Sequence, residues 1–293
     1  MMEKQETSLE QFAEWLRSRE KSRNTIDKYV RDARHFLEYV GMESWEKAQV
    51  LLYKEYLQKK YMTSSVNSML VALNCYLRFM ERPECCVNIC RMQRRLFREE
   101  SRELTFQEYR NLVKIAKKEK RTQLSCILQT IASTGIRVSE LQYITVEALK
   151  SQLVEISCKG KQRVILLSGS LTILLKDYCR KMKIEHGSIF VTGKGKPVDR
   201  RYVWAGMKKL CTAANVAATK VFPHNLRHLF ARCYYEREKD LIRLADYLGH
   251  SSVETTRRYT MISSKEAFQR QLELGFVVNG KAGNRGITIC ART

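Results

Sequence analysis

"LGHSSVETTRRYT", residues 248–260, is the stretch on which the reading of the whole second half of this chain turns. A Gly-His pair, Gly249-His250, stands nine residues before Tyr259, and hydroxyl side chains and two arginines fill the interval. From these residues alone Tyr259 has two readings: an aromatic packed on the buried face of a helix, or a phenol placed for chemistry.

Four further places upstream carry polar groups that a core does not require. "TGIRVSEL" sets Arg137 two residues after Gly135, where the preceding helix must end, with Glu140 at i+3. On one helix face that carboxylate can orient the guanidinium or simply form a surface ion pair. "SCKGKQR" places Lys159 and Lys161 at the tip of an expected hairpin, and "PHNLRH" gives His224 and Arg227 an i, i+3 relation at a helix start. His250 itself is the fourth. Singly, each has an ordinary explanation as an exposed ion pair, basic turn residues or a packed histidine. The set is harder to dismiss, because three of the five histidines, His224, His228 and His250, fall within 27 residues beside basic groups and a late tyrosine.

Together these groups suit chemistry on a phosphodiester. Two guanidiniums can grip its non-bridging oxygens and offset the charge that grows in a pentacoordinate transition state. A phenol can attack the phosphorus if His224 takes its proton, while Lys159 donates one to the departing oxygen. With no acidic cluster to hold magnesium, the arginines stand in for a metal. The bond energy stays in a phosphotyrosine, so neither cofactor nor ATP is expected.

The segments "TGIRVSEL", "CKGKQRVILL", "FPHNLRHLFA" and "YLGHSSVETTRRYT" closely resemble, in order and spacing, the catalytic domain of the tyrosine recombinases, the family of phage integrases and Xer recombinases. The resemblance covers about residues 103–265. It implies that Arg137 and Arg227 clamp the phosphate, Lys159 is the hairpin general acid, His224 the acid/base, and His250 a phosphate hydrogen-bond partner. Tyr259 is then the nucleophile and Glu140 the supporting carboxylate. A two-residue shift in the hairpin exchanges Lys161 with Lys159; in the register adopted, Lys161 is a DNA contact. His228 matches no catalytic position and reads as a packing or supporting residue.

Charge and periodicity set these motifs in a chain. Of 293 residues, 53 are Lys or Arg and 31 Asp or Glu, a formal +22 that points to a polyanionic partner. Residues 1–100 hold 18 basic and 15 acidic residues, a net +3, which leaves 35 and 16, +19, to residues 101–293. Residues 1–90 read as an all-α bundle that binds DNA: Thr7 with Glu10 as a capping box opens a helix near residue 8, Gly41 closes the next, and "TSS" enters the last. Residues 91–104 read as a basic linker in which Arg94, Arg95 and Arg98 meet DNA. Residues 105–264 form the catalytic domain, mainly α with a small antiparallel β-hairpin sheet. There Thr105 and Glu108 make a capping box, Ser170 and Asp199 cap helices, Pro223 sits in a first turn, and "SIFV" is a short strand.

The tail, residues 265–293, is an inter-protomer contact on the strength of the resemblance. A first helix starting near residue 8 leaves no space for an extra N-terminal DNA-binding domain. With a polar start and no apolar run of ~20 residues, the chain is expected to be cytoplasmic and nucleoid-associated, with its ten cysteines reduced. The resemblance implies double-stranded recombination sites and a homotetramer as partners, with accessory DNA-bending or directionality proteins. Two other readings remain open at this stage: a DNA-binding regulator that keeps the fold without the reaction, and a tyrosine-type topoisomerase.

Overall fold

The computed structural model describes residues 2–41, 45–92, 100–158, 161–250, 252–257, 259 and 261, with residues 2–6, 100, 158 and 161 by backbone alone. Arg94, Arg95, Arg98, Lys159 and the tail 265–293 therefore lie outside the described residues, as does the side chain of Lys161. The chain divides into two compact units, Met1–Arg94 and Arg95–Thr293.

The first unit is four helices, α1 (Met2–Ser18), α2 (Arg23–Val40), α3 (Lys47–Lys60) and α4 (Thr63–Phe79), followed by a 3₁₀ turn at Pro83–Cys85. Apolar residues at helical spacing bury one face of each: Phe12 and Leu16, Phe36 and Leu37, Tyr53 and Leu57, Leu73 and Leu77. Gly41 ends α2 in the left-handed conformation, and its N–H bonds the Leu37 carbonyl. Three expectations need correction. Thr7 lies inside α1, which starts at Met2 rather than near residue 8, so Thr7 and Glu10 form no cap. The capping box in this unit is Glu46 with Gln49, ahead of α3. α4 is entered from Met62 without a side-chain cap.

The second unit holds α5 (Phe106–Lys118), α6 (Thr122–Thr134), a 3₁₀ turn at Val138–Tyr143, α7 (Val146–Ser151), the strands β1 (Leu153–Cys158) and β2 (Lys161–Leu166), α8 (Gly169–Met182), α9 (Arg200–Ala214), α10 (Pro223–Glu238), α11 (Leu241–Leu248) and the short α12 (Val253–Arg257). Thus the protein is mainly α with a small two-stranded antiparallel sheet, in which Leu153 pairs with Leu166 and Cys158 with Lys161. α6 is apolar around most of its circumference and is the central helix, with α5, α8, α9 and α10 packed on it. Thr105–Glu108 and Asp199 cap α5 and α9 as their side chains suggest, and Pro223 opens α10. α8 is capped by Ser168, whose hydroxyl accepts from the Leu171 N–H; Ser170 is already helical. "SIFV" forms isolated bridges, Thr145 to Ser188 and Val191 to Pro197, rather than a strand, because no continuous partner lies beside it. Among the described residues no helix is long and apolar enough to cross a membrane.

Gly135, which ends α6, matters for everything that follows. Its φ is +65°, and a Cβ there would lie 2.5 Å from a ring carbon of Phe230 on α10 and 3.0 Å from Leu248 on α11. Both the backbone and the packing therefore demand glycine. Gly135→Ala should cost about 1–3 kcal/mol, read as a lowered urea midpoint of the second unit. An unchanged midpoint would show that α10 yields freely at this point.

Candidate active site

α10 carries the centre of the site. Pro223 fixes the first turn, and α10 then buries Leu226, Leu229 and Ala231. Arg227 is drawn inward with them, at 2% exposure among the largest fully buried side chains. A buried guanidinium must be satisfied, and backbone carbonyls at two helix ends do this. Nη1 donates to the Gly135 carbonyl at 2.5 Å and Nη2 to the Leu248 carbonyl at 2.6 Å. Both acceptors sit at helix C-termini, where partial negative charge favours a cation. Burial, and then the positive charges of Arg137 and Arg163, push the Arg227 guanidinium down to about 10, while Tyr259 and Glu140 act in the opposite sense. Arg227 is thus still charged at neutral pH.

Nη2 of Arg227 also lies 3.2 Å from Nε2 of His250, whose Nδ1 is 2.8 Å from the Thr256 hydroxyl on α12. Arginine can only donate, so in this geometry Nε2 accepts and the ring proton sits on Nδ1, facing Thr256. Tyr259 is 5% exposed and packs with Ala231, Leu244 and Leu248. The His250 ring stacks on it at 6.3 Å between centroids; His228 meets it edge-on at 5.2 Å and touches His224 at 4.5 Å. The question raised by residues 248–260 therefore has a double answer: Tyr259 is packed in a small apolar cluster, and its ring is bracketed by two histidines next to a buried arginine.

Arg137 stands on the rim of the site, with a side chain 42% exposed. Its guanidinium donates to Glu140 Oε1 at 2.9 Å and its backbone N–H to Oε2 at 2.8 Å, so the expected pair is a reciprocal cap of the 3₁₀ turn rather than a loose surface bridge. Glu140 is 4% exposed and holds a second guanidinium, Arg163 on β2, at 2.5 Å. Arg163 also donates to the Tyr247 carbonyl at 2.7 Å. Arg137, Glu140, Arg163, Arg243, Gly249 and His250 line an open pocket of about 940 Å³. Sequence reasoning missed Arg163 and Thr256. For Arg163 the signal was present, since period-2 alternation puts it on the same side of β2 as the buried Ile165.

Of the expected site residues, the structure brings Arg227, His250 and Tyr259 together around α10, places His224 in contact with His228, and sets Arg137 and Glu140 beside the pocket. Among the described residues no cluster of three or more His, Cys, Asp or Glu offers a metal site.

Comparison with known proteins now bears on this arrangement. Residues 102–266 match the phage integrase family, and residues 9–84 match the phage integrase N-terminal SAM-like domain. The chain belongs to the phage integrase family. It is a tyrosine-type site-specific recombinase, similar to the tyrosine recombinase XerA of Pyrococcus furiosus, with 29% identity over 284 residues that cover 93% of this chain and 96% of that protein. Two solved structures share the recombinase fold. One is the XerH site-specific recombinase bound to palindromic difH substrate in a post-cleavage complex, with TM-score 0.67, 18% identity, and coverage of 84% of this chain and 78% of that one. The other is a lambda integrase tetramer bound to a Holliday junction, with TM-score 0.66, 16% identity, and coverage of 87% and 76%.

In this recombinase the Thr256 hydroxyl anchors the Nδ1 side of the His250 ring, whose tautomer the Arg227 donor sets. Thr256→Val keeps the side-chain shape and removes the hydrogen bond, so strand cleavage should fall about tenfold while the ¹⁵N signal of His250 Nδ1 shifts with the loss of its partner. A variant with unchanged cleavage would show that Thr256 only fills space.

Proposed function

We propose that the chain cuts and rejoins DNA at specific sites through a 3′-phosphotyrosyl intermediate on Tyr259. The observation that carries this reading is the buried Arg227, held by two helix ends beside His250 and Tyr259, with Arg137 on the open side. Arg137 lines the pocket and the charge of the buried Arg227 lies close enough to be felt by it, and two such guanidiniums fit the non-bridging oxygens of a scissile phosphate. The Tyr259 oxygen attacks phosphorus as His224 takes its proton, the bond to the 5′-oxygen breaks, and Lys159 protonates that oxygen. A 5′-hydroxyl from another strand reverses these steps and frees the phenol.

His250 serves the phosphate when its Nε2 carries a proton, gained either by tautomer exchange or by protonation of the neutral ring. Because Tyr259 is buried, its segment must shift as DNA arrives. The arginines supply the charge neutralisation that a divalent cation gives in other phosphoryl transfers. The phosphotyrosine conserves the bond energy, so neither metal nor ATP enters the proposed reaction. Lys161, Arg94, Arg95 and Arg98 are proposed DNA contacts, and residues 1–90 a second DNA-binding domain. The substrate is a pair of duplex sites held by four protomers, in line with the tetrameric relative on a junction; accessory DNA-bending or directionality proteins are further proposed partners.

Tyr259→Phe should bind its site with near-normal affinity and form no covalent adduct on a nicked duplex. Adduct formation by the Phe variant would assign the nucleophile elsewhere. Arg227→Lys and Arg137→Lys keep the charge but lose the planar fork, and should lower the cleavage rate on the order of 10²-fold or more with far smaller losses in binding. Equal losses in the two would reduce both arginines to DNA-positioning contacts. Cleavage should also persist in chelator, and an absolute magnesium requirement would refute the metal-free scheme.

A further inference from the structure

Arg163 lies at a junction of three chain segments that the recombination chemistry must keep in register. It projects from β2, its side chain 11% exposed. One terminal nitrogen reaches Oε2 of Glu140 in the turn after α6, and the other reaches the carbonyl of Tyr247 in the last turn of α11. Its stem packs so closely on Gly249 that a Cβ there would lie 2.7 Å from Arg163 Cδ. Gly249 has φ +60° and leads directly into His250. A single planar side chain therefore spans the hairpin strand, the turn that bears Arg137, and the bend that bears His250.

The hydrogen bonds around Glu140 give this span its consequence. Oε2 is fixed by the Arg137 backbone N–H and by Arg163, so the carboxylate plane is set before Oε1 meets the Arg137 guanidinium. Glu140 alone would neutralise Arg137 and weaken its attraction for a phosphate. Shared between two arginines, the same carboxylate orients Arg137 and leaves the group net positive. A lysine ammonium, lacking the fork, cannot hold Glu140 and the Tyr247 carbonyl in one plane.

We propose that Arg163 is a positioning residue for strand cleavage: it sets Arg137 through Glu140 and seats the Gly249–His250 bend through the Tyr247 carbonyl, without contacting DNA. This rests on the phosphotyrosyl reading of the site.

The test is single-turnover cleavage of a nicked site, with DNA affinity measured across a salt series, for wild type, Arg163→Lys, Arg163→Met, Glu140→Gln and the double variant Arg163→Met/Glu140→Gln. The double variant leaves no unpaired buried charge and so protects the test against misfolding of Arg163→Met. The Met variant should cleave about 10²-fold more slowly at saturating DNA, with its affinity within about threefold of wild type and an unchanged slope of log K against log salt. Lysine should recover only part of the rate, and the double variant should be no slower than the slower single one. A salt slope reduced by about one would make Arg163 a phosphate contact and overturn the proposal. So would additive losses in the double variant, or a wild-type rate in Arg163→Met. Failure of the wild-type chain to form any adduct would instead overturn the functional reading and this inference with it.

Discussion

A guanidinium cannot remain buried unless its donors are satisfied, and Arg227 meets that constraint with the carbonyls that end α6 and α11. The geometry of the second unit follows from this. Gly135 has to turn sharply at the end of α6 to offer its carbonyl, and it must lack a Cβ for Phe230 of α10 to pass. α11 has to end at Leu248 with Gly249 in the left-handed conformation, which delivers His250 to the same arginine. The residues that read as chemistry in the sequence are thus also the residues that join the helices. Breaking the Arg227 bonds would strand a buried charge and loosen three helices together.

Around that fixed centre the site is graded from rigid to adjustable. Arg227 and Glu140 are nearly inaccessible and fully engaged. Arg137 is on the rim, oriented by Glu140 but open to the pocket. His250 is held between Arg227, which donates to its Nε2, and the Thr256 hydroxyl at its Nδ1. Tyr259 is also withdrawn from solvent, on a segment that follows the five-residue α12. A helix so short is marginal by itself, which suits the proposed movement of the phenol to DNA. In the proposed reaction the charge neutralisers stand ready, whereas the nucleophile is delivered.

Local chemistry explains which parts of this were legible in the sequence. The caps at Thr105 and Asp199, the first-turn Pro223 and the closing Gly41 act within a few residues of themselves, so side-chain type was sufficient. Thr7 misled because a capping-box pattern can lie inside a helix once the preceding residues are also helical. Ser170 and Ser168 compete for one cap, and only the backbone decides between them. "SIFV" has strand composition but finds only isolated bridges. In the site, the Arg137–Glu140 pair was visible as an i, i+3 relation. Strand alternation shows the inward placement of Arg163 but not what it holds, because its partners are 23 and 84 residues away in the chain. Thr256 looked like one hydroxyl among several until His250 was placed against it.

The central claim is that Arg227 acts by neutralising a scissile phosphate. It is tested most directly by giving the same Arg227→Ala protein two nicked sites that differ only in the scissile group, an ordinary phosphate or a neutral methylphosphonate. Folding losses cancel in that comparison. The account predicts that the variant's cleavage defect is on the order of 10²-fold or more with the phosphate and is largely relieved with the methylphosphonate, which carries no charge to offset. An equal defect on both substrates would contradict it and leave Arg227 as a structural tie between helices.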